Sequence, residues 1–173
     1  DVRDVPTMER AGQALLGRIS RTLTDEERAA GLRYQTFARD AAVFVAGSSV
    51  RVKNLTSAQV RDIFSGQIRR WVEVGGADAP IRVVTREPSD AAATVLRKAF
   101  PAFANVKTFE EAKLAARDAE NLELLVRFRT AIGISSRAEV RGAGDRLVPL
   151  AIDGIAAWFA DRVRGVPATS TCG

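Results

Sequence analysis

Runs of consecutive apolar residues recur along the chain, separated by stretches in which the apolar positions follow a helical period. An uninterrupted apolar run of strand length lies at 41–46, a mostly apolar run, AIGIS, lies at 131–135, and a run rich in β-branched residues lies at 81–85. Such runs are typical of strands buried on both faces of a sheet. A further run at 147–152 contains Pro149, which favours a sheet edge or a strand end. The pattern therefore predicts strands at all four places.

The stretches between these runs predict helices, because apolar residues recur there at spacings of three and four. The predicted helices cover 8–18, about 25–30, the residues from Thr56 to Gly66, 90–99, 109–117 and about 119–127. Thr24 with Glu27, and Thr56 with Gln59, have the spacing of a capping box, in which each side chain bonds the other residue's backbone N–H. Strands separated by helices favour an α/β layered fold.

The composition narrows the classes of function. A chain of 173 residues fits one domain, or two small lobes that share a hinge, and no apolar run is long enough to cross a membrane. The chain has no histidine, which removes the Ser-His-Asp and Cys-His nucleophile systems and the usual zinc sites. The single cysteine, Cys172, can form no disulfide within the chain and is given no catalytic role. We therefore expect no enzyme activity, no metal and no cofactor.

The chain is basic, with a net charge of +5 and a pI near 10.1. Of its 26 basic residues only four are lysines, and the rest are arginines. These residues do not alternate with aromatic side chains, as a stacking platform for nucleic acid requires, so no nucleic-acid partner is expected. A positive field still attracts small anions.

One segment carries a family resemblance. The sequence NLTSAQVRDIFSGQI at 54–68, followed by Trp71 and by VGG at 74–76, closely resembles a signature of phosphate ABC-transporter substrate-binding proteins. Four further segments are similar to segments of that family and occur in the same order: ISRTLT at 19–24, RDAAVFV at 39–45, AIGIS at 131–135 and LAIDGI at 150–155. Together they extend over about residues 19–155.

The resemblance implies an α/β fold of the type II periplasmic-binding-protein kind, with two lobes of sheet flanked by helices and joined by a hinge. Residues 45–130 would form the second lobe, and residues 1–44 with 131–173 an incomplete first lobe. It also implies capture of inorganic phosphate or a similar tetrahedral oxyanion, delivery to an ABC permease, and a periplasmic or cell-envelope location. A membrane tether is not visible in this chain, which carries no export signal in this numbering.

Two departures from the family pattern leave an alternative open. The Gly-Ser-Thr-rich loop that usually precedes this region is not seen, so the chain is expected to begin after it. The family's R-x-x-G-S-G-T loop reads REPSDAA at 86–92, which keeps the arginine and one serine but neither the glycines nor the threonine. The alternative is a shortened module with weak or no solute binding that serves as a regulatory or protein-interaction domain.

The expected site lies where the strand at 81–85 passes into the next helix. A helix N-terminus offers free N–H groups to an anion, Arg86 offers a bidentate guanidinium and Ser89 a hydroxyl. Asp90 either accepts the hydrogen of a protonated phosphate or simply caps the helix. From the other lobe, Ser20 and Arg21 could approach the same ligand.

Asp40 has two interpretations. It could orient one of the two arginines, or it is an exposed residue before a strand, and the second interpretation is favoured. Four residues of the signature, by contrast, are expected to be structural: Thr56 and Gln59 as caps, and Phe64 and Trp71 as packing residues.

Overall fold

The computed structural model describes residues 19, 22–36, 38 and 40–152. The chain divides into two units, residues 1–39 and 40–173, and each is described by itself. The helix predicted at 8–18 lies outside the described residues.

The described part of the first unit contains one short helix, α1 (Asp25–Ala29). It begins with the predicted capping box, in which the Thr24 hydroxyl accepts from the N–H of Glu27 at 3.2 Å and the Glu27 carboxylate accepts from the N–H of Thr24 at 2.8 Å. Gly31, with φ of 87°, follows the helix in the left-handed region that favours glycine. Both ends of this predicted helix are therefore confirmed.

The described part of the second unit is an alternation of strands and helices. Its strands are β1 (Ala42–Gly47), β2 (Asn54–Leu55), β3 (Arg82–Arg86), β4 (Lys113–Ala115), β5 (Ala131–Ser136), β6 (Leu147–Pro149) and β7 (Ala151–Ile152). Its α-helices are α2 (Ser57–Phe64), α3 (Ala91–Ala99), α4 (Asp118–Arg127) and α5 (Arg137–Ala143). No helix among the described residues has the length and apolar character needed to span a bilayer.

Five of the strands form one sheet in the order β4-β3-β5-β1-β6. Strand β3 runs parallel to β4 and β5, whereas β1 runs antiparallel to both β5 and β6. The short strands β2 and β7 pair in parallel as a separate two-stranded sheet. Because β3, β4 and β5 share a direction, their carboxyl ends lie at the same edge of the large sheet.

Both faces of the large sheet are covered, as the continuous apolar runs predict. Along β1, Phe44 and Ala46 belong to a core shared with α2 and α3, whereas Val45 belongs to a second core shared with α4 and α5. Successive side chains of a strand point to opposite faces. The described part of this unit is therefore a three-layer arrangement in which helices cover a mixed sheet, and the prediction of an α/β fold is confirmed.

The larger core contains a cluster of four phenylalanine rings. Phe44 lies 5.3 Å from Phe103 and 5.8 Å from Phe64 between ring centroids, both in edge-on contacts, and Phe100 closes the cluster. Each such pair contributes about 0.5–1.5 kcal/mol beyond its burial. Trp71 is also buried and donates its indole N–H to the carbonyl of Thr130 at 2.9 Å. The structural roles predicted for Phe64 and Trp71 are confirmed.

Three sequence-based assignments need correction. The segment 109–117 is not a helix, because residues 113–115 form the edge strand β4, hydrogen-bonded to β3. The run 147–152 is divided between β6 and β7, which belong to different sheets. Helix α5, which begins at a capping box of Ser136 and Glu139, was not predicted.

Strand β5 follows the predicted lobe boundary at residue 130 and pairs with both β1 and β3. Strand β5 lies between β3 and β1 in a single sheet, so residues 131–149 share a hydrogen-bonded layer with residues of 45–130. The sequence gives no pairing information, and the order of the strands could not be derived from it. The two-lobe arrangement with a hinge stays a prediction.

Candidate functional site

Arg86 is the last residue of β3 and stands at the edge where the parallel strands end. Helices α3, α4 and α5 begin at this same edge, since each follows one of the strands β3, β4 and β5. Ligands of open α/β sheets bind outside the carboxyl ends of the strands, where helix N-termini present free N–H groups. Arg86 therefore lies where a strand of the sheet passes into a helix, as the sequence predicted, and the binding role of this place stays a prediction.

The Arg86 side chain is only 8% exposed, and carboxylates surround its guanidinium group. Nε and Nη2 donate to the two carboxylate oxygens of Glu87 at 3.1 and 3.2 Å. Nη2 also lies 3.4 Å from a carboxylate oxygen of Asp90, and Nη1 donates to Asp118. One guanidinium thus meets three carboxylates, which gives the group a net charge of −2 when all four are ionised.

Of the two roles that the sequence left open for Asp90, the structure shows the capping role, and contact with a protonated phosphate stays a prediction. One carboxylate oxygen accepts from the N–H of Ala93 at 2.8 Å and caps α3, while the other faces Arg86. The side chain is 10% exposed. This bond satisfies the N–H of Ala93 at the start of α3. The N–H groups of Ala91 and Ala92 precede it in the first turn, where the helix itself provides no carbonyl to accept from them.

Asn121 fixes the helix that carries Asp118. It lies in the first turn of α4 and is buried, and its side-chain N–H group donates to the carbonyl of Ile134 in β5 at 2.9 Å. The N–H of Ala116, just before this helix, donates to the carboxylate of Glu120 in its first turn at 2.9 Å. These contacts hold the start of α4 against the sheet beside Arg86.

The pKa values of the cluster follow from these contacts. Burial lowers the pKa of Arg86, but the hydrogen bonds to Glu87 and Asp118 and the charges of Asp90 and Glu87 outweigh it, so the pKa is raised above its ordinary value. The hydrogen bond from Arg86 lowers the pKa of Glu87 below its usual range. Arg86 is therefore a permanent cation whose charge is already more than balanced.

The structure brings two of the five predicted site residues together. Arg86 and Asp90 are in contact, while Ser89 is exposed on the turn between them. Ser20 and Arg21 lie outside the described residues. The binding role of all five stays a prediction.

Asp40 lies elsewhere and does not orient Arg86. Its carboxylate accepts from the N–H groups of Ala41 at 2.8 Å and Ala138 at 3.2 Å, the second at the start of α5. Burial raises its pKa, but these bonds, that of Ser136 and the charge of Arg137 outweigh burial and lower it.

Two members of the cluster, Glu87 and Asp118, were missed from the sequence. Glu87 is next to Arg86, but chain proximity alone did not indicate a bidentate contact. Asp118 follows β4, and its approach to Arg86 depends on the pairing of β4 with β3. Because the segment around β4 was assigned to a helix, the sequence did not indicate that Asp118 approaches Arg86.

Two of the concavities formed by the described residues lie away from Arg86. One, of about 400 Å³, is bordered by Val43, α5 residues and Pro149, and the other, of about 380 Å³, includes Arg61 and Lys107. Neither is lined by the predicted site residues. Among the described residues, no three acidic, cysteine or histidine side chains are arranged to hold a metal ion.

A sheet covered by helices on both faces, with charged groups gathered where its parallel strands end, defines the class of α/β ligand-binding folds. Within that class, the chain belongs to the PBP superfamily domain family, whose sequence profile it matches over residues 6–165. The resemblance first seen in the segment 54–68 is thereby confirmed.

Individual relatives agree with this assignment. The phosphate-binding protein PstS of Borreliella burgdorferi is 34% identical over 99 residues, which cover 54% of this chain and 33% of that protein. A Clostridium perfringens protein of the phosphate ABC-transporter substrate-binding type, solved with bound phosphate, is 30% identical with a TM-score of 0.66; the match covers 86% of this chain and 59% of that one.

A third relative is an ABC-type phosphate transport receptor from Vibrio cholerae, 25% identical with a TM-score of 0.58. The match covers 86% of this chain and 60% of the receptor. This chain thus spans about a third of the curated relative and about 60% of the two solved ones.

Proposed function

We propose that this chain is part of an extracytoplasmic solute-binding protein that captures inorganic phosphate, or a similar tetrahedral oxyanion, for an ABC permease. The observation that carries the proposal is the 30% identity, over 86% of this chain, to a protein of that type solved with bound phosphate. The proposal assigns the protein to the periplasm or cell envelope and gives it no bond-making chemistry and no nucleic-acid partner.

The proposed ligand position lies beside Arg86 at the start of α3. The guanidinium supplies the charge, the first N–H groups of the helix supply directed donors, and Ser89 can add its hydroxyl. Ser20 and Arg21, which lie outside the described residues, stay in the proposed set as a prediction from the sequence. A buried oxyanion needs several donors of this kind because an unpaired buried charge is very costly.

The carboxylates around Arg86 affect which oxyanion can bind there. Phosphate retains a P–OH group near neutral pH, and that group can donate to Asp90, whereas fully ionised sulfate has no hydrogen to donate. With Glu87 and Asp118 adding further negative charge, sulfate meets only repulsion on that side. We therefore expect phosphate to bind in preference to sulfate.

The same charges favour a second candidate function. Because the donors of Arg86 are engaged by three carboxylates, the chain could be a module that has lost tight solute binding and serves in regulation or protein interaction. The two functions differ in whether any oxyanion binds at physiological concentration.

Isothermal titration with phosphate, sulfate, molybdate and nitrate separates the two functions. Solute capture requires phosphate binding at about micromolar Kd or tighter, which is a binding free energy of about −8 kcal/mol. Arg86→Ala should abolish the signal, whereas Arg82→Ala, an exposed arginine on the same strand, should leave it nearly unchanged. Absence of heat for all four anions would favour the interaction module.

A further inference from the structure

The three carboxylates around Arg86 differ in how firmly they are held. Asp90 also caps α3 and is 10% exposed, and Glu87 is the adjacent residue with a two-oxygen contact. Asp118 comes from a different helix, its side chain is 57% exposed, and among the described residues its carboxylate makes one hydrogen bond, to Nη1 of Arg86. Asp118 is therefore the carboxylate that can leave with the least disturbance.

The position of Asp118 is also the one that an incoming anion would take. Nε and Nη2 face Glu87 and Asp90, so Nη1 is the donor whose partner lies nearest to solvent. An exposed carboxylate released from a salt bridge regains its hydration at little cost. Loss of Asp90 from its position would instead uncap α3.

We propose that Asp118 is an internal competitor for the oxyanion: it occupies the outer edge of Arg86, must give up that edge when a ligand binds, and so sets the affinity of the site. This inference rests on the proposed function and identifies the residue that tunes it. It assigns Asp118 an inhibitory role, in contrast to a residue that orients Arg86 for the ligand.

The two roles predict opposite effects of Asp118→Asn. If Asp118 competes, the variant replaces a charge-assisted hydrogen bond to Nη1 with a weaker neutral one and removes one negative charge from beside the ligand, and phosphate binds roughly tenfold more tightly. If Asp118 orients Arg86, the variant binds more weakly. The gain in phosphate affinity that comes from removing this negative charge should also shrink as the ionic strength rises.

The matched control is Glu123→Gln. Glu123 is exposed on the same helix and makes no described contact with Arg86, so the variant removes the same charge from α4 without altering the cluster. We expect its phosphate affinity to lie within about twofold of the parent protein. Thermal unfolding of both variants checks that each is folded.

A second readout does not depend on phosphate. Phenylglyoxal modifies accessible arginines, and peptide mass spectrometry reports the rate at Arg86, with the exposed Arg82 as a reference in the same sample. We expect Asp118→Asn to raise the rate at Arg86 several-fold relative to Arg82, and Glu123→Gln to leave the ratio unchanged.

The outcomes distinguish the inference from the proposed function. Tighter phosphate binding by Asp118→Asn alone supports both. Weaker binding, or an effect equal to that of Glu123→Gln, overturns the competitor role while leaving phosphate capture intact. If no variant binds phosphate, capture fails, and the labelling decides the role of Asp118: an unchanged rate at Arg86 overturns it.

Discussion

Replacement of Arg86 by glutamine tests whether this side chain is the electrostatic centre of the sheet edge. The change removes the cation but keeps a polar side chain of similar length, and it leaves Glu87, Asp90 and Asp118 facing one another. Loss of one partner from a fully buried ion pair costs about 3–5 kcal/mol. Because Glu87 and Asp118 are 37% and 57% exposed, water screens part of the repulsion, and we expect about 2–3 kcal/mol at pH 7.

The pH dependence gives this prediction its specificity. In the parent protein the lowered pKa of Glu87 contributes stability that is present above the unfolded pKa of about 4.3 and is lost as the pH falls through the folded pKa. In Arg86→Gln the cation that lowers the pKa of Glu87 is gone, so this contribution to stability is lost from the variant. The difference between variant and parent should therefore narrow on acidification.

Urea unfolding at pH 7 and pH 3, followed by circular dichroism, measures both effects. Arg82→Gln is the matched control, an exposed arginine on the same strand, and should change stability by less than about 0.5 kcal/mol at either pH. A stability loss for Arg86→Gln that is equal at the two pH values would refute the electrostatic explanation and indicate loss of packing alone.

Two further predictions concern the frame that carries the site. Gly47→Ala places a methyl group 2.6 Å from the backbone carbonyl group of Arg129, which cannot rotate away. We therefore expect urea unfolding to show a loss of stability of about 3 kcal/mol. The control is Gly142→Ala, on a helix with open space around it, which should stabilise the protein by about 0.5–1 kcal/mol. Thr56→Ala removes the hydroxyl that accepts from the N–H of Gln59, and the same assay should show a loss of about 1 kcal/mol; no loss would mean that the capping box is inactive.

Local signals in the sequence predicted the features that depend on a few neighbouring residues. The hydroxyl of Thr56 and the side chain of Gln59 form a capping box because three residues of spacing bring each to the other's N–H. The continuous run around Phe44 and Val45 correctly indicated a strand covered on both faces.

Features that depend on distant pairing could not be predicted in this way. Residues 113–115 have the composition of a helix, yet their backbone groups pair with β3, and this pairing is what brings Asp118 to Arg86. The strand order likewise places β5 between β1 and β3 with no mark in the sequence of any one strand. Arg86 and Asp90 were therefore predictable as candidates, whereas the contacts of Arg86 with Glu87 and Asp118 were not.

Nuclear magnetic resonance titration with phosphate tests the central claim, which is that an oxyanion binds Arg86 and the first turn of α3. In uniformly ¹⁵N-labelled protein, the Nε–H signal of Arg86 and the amide signals of Ala91 and Ala92 should shift together and saturate at the Kd found by calorimetry. Saturable shifts confined to other residues, such as those around Arg61 and Lys107 in the second concavity, would contradict the claim.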